Sequence, residues 1–236
     1  MKKTLLVYVI AYLVLLTVVL GLLYTYPKAE LHMMLNAYHT RLEDTFFKYF
    51  TILAEWPLYA LALLPLLWKK IKITLFFAIS ELTGGAVLQA LKFFFKSDRP
   101  ASVFENYPDM TLPLVEGVNM HHGNSFPSGH ASTFFVFCTC CALILAYRHQ
   151  KRARQLRAAA NPEVGESHKA NLVSKRFLLS LTMLSLLIFA VLGAYSRIYL
   201  SQHFLSDVCV GSIIGFTTPL LIFYFGRDKI LKLKTE

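Results

Sequence analysis

The chain has 236 residues, 56% of them hydrophobic and 16% charged, with a net charge of +10. A composition this apolar excludes an ordinary soluble domain and points to a membrane protein. Its four cysteines, Cys138, Cys140, Cys141 and Cys209, all lie inside apolar runs, which excludes a disulfide framework or a zinc site and leaves them as packing residues.

A helix needs roughly 20 residues to cross about 30 Å of hydrocarbon, so long apolar runs mark spans. The first run is Leu5 to Tyr24. It starts like a secretory signal, but it is too long for one and no small-residue cleavage site follows, so it reads as an uncleaved span. After Pro27, the helical spacing of Leu31, Met34, Leu35 and Tyr38 predicts an interfacial helix bordering a lipid entrance. Further spans are expected over Phe50–Trp68, Ile73–Phe95, His130–Tyr147, Phe177–Tyr195 and Phe204–Phe225. The expected fold is all-α: a polytopic bundle of six transmembrane helices forming a single membrane domain over 1–236, with no internal repeat and no appended soluble domain.

The cations alternate with the spans. All but seven of the 24 lysines and arginines fall before the first span, between the second and third, between the fourth and fifth, or after the sixth. The positive-inside rule assigns that side, and both termini, to the cytoplasm. The basic 148–176 segment then reads as a topology determinant on an anionic inner leaflet. Nucleic-acid binding is disfavoured, because this segment has no interleaved aromatics and no recognition fold around it.

Three segments fall on the opposite, outer face. In "LKFFFKSDRP", Lys92 and Arg99 are cations just beyond a helix end, and Pro100 turns the chain out of helix. Taken alone, Lys92 and Lys96 read as snorkelling residues. In "NSFPSGHAS", Ser128 is an N-cap candidate, Gly129 permits close backbone approach, and a helix N-terminus is an anion site with His130 beside it. By itself this is as much a helix cap with a bystander histidine as a site. In "SRIYLSQHFLSD", His203 and Asp207 are spaced to share a helix face, and Arg197 offers a donor fork suited to phosphate. Alone, that pair reads equally as a structural ion pair. Together the three segments supply three cations, a helix start and two histidines, one backed by a carboxylate, which is an inventory for phosphoryl transfer.

At these residues the sequence resembles the type 2 phosphatidic acid phosphatase family, whose active site is similar to that of the vanadium haloperoxidases. The family pattern is a lysine, six residues and Arg-Pro; then Pro-Ser-Gly-His; then Ser-Arg, five residues, a histidine, three residues and an aspartate. It reads here as "KFFFKSDRP", "PSGH" and "SRIYLSQHFLSD", and the resemblance covers roughly 73–225. It implies that His203 attacks phosphorus to give a phosphohistidine, that Asp207 orients it, and that His130 protonates the leaving alkoxide and then activates water. It also implies that Lys92, Arg99, Ser128, Gly129 and Arg197 hold the phosphate. The family needs no metal or other cofactor.

A membrane-surface site favours a lipid phosphate, hydrolysed on the periplasmic face of a bacterial inner membrane; a haloperoxidase is disfavoured on the same ground. Lipid A phosphate is placed narrowly ahead of undecaprenyl diphosphate, phosphatidylglycerol phosphate and phosphatidic acid, because the long 101–124 segment has room for a saccharide head group. That segment is the expected substrate selector; its His121 and His122 read as solvated loop more readily than as metal ligands. Glu81 and Lys92 share a face of the third span, which means either a polar path or, preferably, a buried interhelical hydrogen bond. The polar-path reading keeps a membrane transporter as the rival class. Nothing in the sequence sets an oligomeric state.

Overall fold

The computed structural model describes residues 2–159 and 165–230. Those residues form α1 (Lys2–Thr25), α2 (Lys28–Leu35), α3 (Arg41–Phe50), a short 3-10 turn (Thr51–Ala54), α4 (Trp56–Lys69), α5 (Ile71–Phe95), α6 (Pro100–Phe104), α7 (Gly129–Ala159), α8 (Gly165–Tyr199) and α9 (Leu205–Ile230), with no strand among them. Among the described residues, five stretches rather than the expected six, within α1, α5–α6, α7, α8 and α9, are long and apolar enough to cross a membrane.

The second expected span, Phe50–Trp68, is divided. The 3-10 turn ends at Glu55, which is extended (φ −74°, ψ 142°), and α4 begins afresh at Trp56. Pro57 suits a first turn, where no backbone donor is needed. The 14 residues of α4, with Pro65 inside them, reach only about 21 Å. The interfacial stretch after Pro27 is also two helices rather than one. Leu31 and His32 are buried, whereas Met34 and Tyr38 face outward. The break falls at Asn36–Thr40, where Thr40 caps α3 by accepting from the Glu43 backbone N–H at 3.2 Å while donating its hydroxyl to Glu43 Oε2 at 2.7 Å.

α7 runs through the middle of the bundle. Ala131, Phe135, Cys138 and Ala142 pack against Tyr8 and Tyr12 of α1 and Met183, Leu187 and Ala190 of α8. Its other side, through Val136, Cys140 and Leu143, packs against Phe76 and Phe77 of α5 and Phe223 of α9. α9 approaches α7 closely through glycines: a Cβ at Gly211 or Gly215 would land on the backbone oxygen of Ser128 or Ser132. Glu81 accepts from Thr133 Oγ1 across the α5–α7 contact, which is the interhelical hydrogen bond favoured by the sequence.

Chain direction brings the end of α5, the start of α7, the end of α8 and the start of α9 to one end of the bundle. The basic ends of α7 and α8 lie at the other. α7 and α8 extend helically into the 148–176 segment that reads as a loop in the sequence. Lys232 and Lys234, expected on the basic side, lie outside the described residues.

Candidate active site

α9 does not begin early enough to include His203. The chain leaves α8 at Tyr199, passes through Ser201 with φ +52°, and re-enters helix at Leu205. His203 and Asp207 therefore meet across a helix start rather than along a helix face. Asp207 Oδ2 accepts from the Phe204 backbone N–H at 3.0 Å, the reach-back half of a capping box, and stands 3.6 Å from His203 Nδ1. Ser125 donates its hydroxyl to the same carboxylate oxygen at 2.5 Å, and Ser206 donates to Oδ1 at 3.1 Å. The imidazole and carboxylate are 2% and 1% exposed, so these donors satisfy a charge that would otherwise be costly to bury.

Burial pushes the His203 imidazole down to a pKa of about 3. Arg197 and Arg99 push the same way, and Asp207 opposes them. The ring is therefore neutral at physiological pH. With Nδ1 turned towards Asp207, Nε2 is the nitrogen left for chemistry.

The other expected residues converge on this point. Ser128 caps α7, its Oγ accepting from the Ala131 N–H at 3.4 Å, while its own backbone N–H donates to the Asp207 carbonyl at 2.9 Å. Gly129 is the first residue of that helix, half-buried with open space beside it. His130 lies within electrostatic reach of Arg197, His203, Arg99 and Lys92. Arg197 is 7% exposed; its Nη1 donates to Thr51 Oγ1 at 2.8 Å, while its Nε is buried with no partner. Arg99 donates to the Gly123 carbonyl at 3.0 Å and to the backbone and side-chain oxygens of Gln202 at 3.2 and 3.1 Å. Lys92 donates to the Asn124 carbonyl at 2.7 Å. Three cations, a helix start and two imidazoles thus face one place, an arrangement that can hold a phosphate and pass it to a nitrogen.

Several residues that support this arrangement have no signal in the motifs. Ser125 and Thr51 hold Asp207 and Arg197. Asn36 Nδ2 donates to Ser201 Oγ at 2.7 Å, and Asn36 Oδ1 is 2.9 Å from His39 Nε2. His39 Nδ1 is 2.8 Å from Asp44 Oδ1, which also accepts from Tyr199 OH at 2.6 Å. His32 is 1% exposed, packed on Phe104 and Phe204, with neither ring nitrogen partnered. The 101–124 segment is a pinned wall: Pro113 accepts from Ser201, Glu116 from Lys48, Asn119 from Gln202, and His122 from the Arg99 backbone. His121 and His122 are exposed, and His122 Nδ1 is 3.1 Å from Ser102 Oγ.

The fold is similar to the crystal structure of Aquifex aeolicus LpxE, with a TM-score of 0.59 and 22% identity over 85% of this chain and 97% of that one. Comparison with curated protein sequences gives no match. The PAP2 superfamily model matches residues 73–231, so α1–α4, with Asn36 and Thr51, precede the matched region. With the match spanning most of the chain and holding all three motifs within it, this protein belongs to the PAP2 superfamily.

Proposed function

We propose that the protein is a lipid-phosphate phosphatase working through a phosphohistidine on His203. Family membership supports a phosphatase. The observation that carries the mechanism is the carboxylate-backed imidazole of His203, 3.6 Å from Asp207 and set beside Arg197 and Arg99 at one end of an apolar bundle.

His203 Nε2 attacks phosphorus and the bond to the leaving alkoxide breaks, with His130, protonated once the phosphate anion is bound, giving the alkoxide its proton and becoming neutral. His130 then takes a proton from water, which attacks the phosphohistidine and releases inorganic phosphate. Asp207 stabilises the positive charge that develops on His203. Lys92, Arg99, Arg197, Ser128 and the Gly129 backbone hold the equatorial oxygens, a task that these fixed donors perform without a metal.

A lipid substrate is supported by the apolar surroundings. A cavity of about 120 Å³, lined by Leu53, Leu58, Thr133, Phe134 and Phe189, begins one turn below His130 and suits an acyl chain. We place lipid A phosphate first, since the 101–124 wall borders the site and is long enough to contact a saccharide head group, ahead of undecaprenyl diphosphate, phosphatidylglycerol phosphate and phosphatidic acid. The positive-inside rule supports a bacterial inner-membrane protein with cytoplasmic termini and a periplasmic site, with α4 completing six spans by bilayer thinning.

The test is a panel assay of the detergent-solubilised protein against those four substrates, with His203→Ala as control. The proposal expects phosphate release that is lost in the control and insensitive to EDTA. Release equal in the control would refute the mechanism, and no release from any lipid phosphate would favour a transporter, which needs a sealed membrane.

A further inference from the structure

We infer that the end of the bundle opposite the catalytic residues holds a binding site for an anionic phospholipid. α7 and α8 border an open groove of about 340 Å³ there, lined by Arg148, His149 and Arg152 from one helix and Lys175 from the other, over an apolar floor that includes Leu145 and Leu178. Arg148 and Arg152 are one turn apart and share a face. Among the residues whose side chains the structure describes, no carboxylate pairs with Arg148, Arg152 or Lys175. His149 Nε2 is buried with no partner. Cations facing one another across a groove repel, and a buried unpaired ring nitrogen is costly, so the groove as it stands favours an incoming anion with acceptor oxygens.

Its depth and lining select a lipid. From His130 to Arg152, α7 rises about 33 Å, close to the thickness of the hydrocarbon core. With the catalytic end at one interface, Arg148, Arg152 and Lys175 sit at head-group level of the opposite leaflet. Leu145 and Leu178 lie towards the hydrocarbon, where an acyl chain runs. A free phosphate would leave that floor unused. The site shares no residue with the catalytic end and would bind a phosphodiester head group that it does not hydrolyse.

The test titrates the purified full-length protein in neutral detergent with dioleoylphosphatidylglycerol and counts bound lipid by native mass spectrometry. It compares wild type with a variant carrying Arg148→Gln, Arg152→Gln and Lys175→Gln. Removing three basic residues should weaken binding roughly a hundredfold, while phosphate release from a lipid-phosphate substrate is unchanged. A charge-preserving Arg148→Lys/Arg152→Lys variant keeps the lipid, and single Arg152→Gln, on an exposed helix surface, reports the same loss in smaller measure if the triple variant does not fold. Equal affinity in wild type and the glutamine variants, equal retention of phosphatidylcholine, or displacement of the lipid by millimolar inorganic phosphate would each overturn the inference. Loss of catalysis alone would bear on the phosphatase reading and not on this one.

Discussion

Ser125 and Asp207, 82 positions apart in sequence, are joined by a hydrogen bond of 2.5 Å to the same carboxylate oxygen that faces His203. Ser125 thereby fixes which way the carboxylate points. Ser125→Ala removes this donor from a buried charge, and we expect kcat to fall about tenfold to a hundredfold with little change in KM. Steady-state kinetics on a lipid phosphate checks this; an unchanged kcat would remove Ser125 from the machinery.

Arg197→Lys should be far from conservative. Lysine cannot present a planar fork that donates to Thr51 and still offers further N–H groups to phosphate. We expect kcat/KM to fall about a hundredfold, with a smaller fall for Thr51→Val. Wild-type kcat/KM in Arg197→Lys would show that charge alone suffices.

Asn36 holds Ser201, whose φ of +52° shapes the turn leading into His203. Asn36→Ala should lower kcat more than it raises KM, since it leaves Lys92, Arg99 and Arg197 in place. A purely structural role would instead lower the thermal midpoint and leave kcat of the folded fraction intact, so both are measured.

The stability of the protein should fall in acid, with His32 as one identifiable cause. Burial lowers its pKa from 6.5 to about 4, with Lys28 acting in the same direction and Asp207 against. Between those values the unfolded chain binds a proton that the folded ring refuses. Stability is therefore fully present above pH 6.5 and is lost as pH falls towards 4, by on the order of 3 kcal/mol for this group. His32→Phe, which keeps the ring packing on Phe104 and Phe204, should flatten thermal midpoint against pH in that window. An unchanged slope would mean that other groups, His203 among them, carry the whole effect.

The close passage of α9 past α7 makes Gly211 a sensitive position. A Cβ there strikes the Ser128 carbonyl, whereas one at Gly85 meets nothing within 4 Å. Gly211→Ala should displace the start of α7 from Asp207 and lower activity and thermal midpoint together, while Gly85→Ala leaves both unchanged. Equal behaviour of the two variants contradicts this packing.

The outer motifs and most of the helices were legible in the sequence because their signals are local: apolar runs, a cap residue and fixed spacings around Lys92, Ser128 and His203. The helix cap at Thr40 was equally visible as Thr-x-x-Glu, yet the apolar spacing around it favoured one continuous helix. The break at Glu55 was hidden inside an apolar run, where periodicity does not separate one helix from two. Spacing was misleading at His203, whose four-residue separation from Asp207 matches a helix face although the carboxylate reaches back over a helix start. The supports from Ser125, Asn36 and Thr51 had no local trace, because their partners lie 82, 165 and 146 positions away and depend on how the helices pack.

The central claim is that phosphorus passes through His203. The most direct measurement is a rapid-quench experiment with a lipid phosphate labelled with radioactive phosphorus, stopped in alkali, where phosphohistidine survives, followed by digestion and peptide mapping. The account predicts label on the peptide containing His203, formed faster than phosphate is released. Label on another residue, or phosphate release without any labelled protein intermediate, would contradict it.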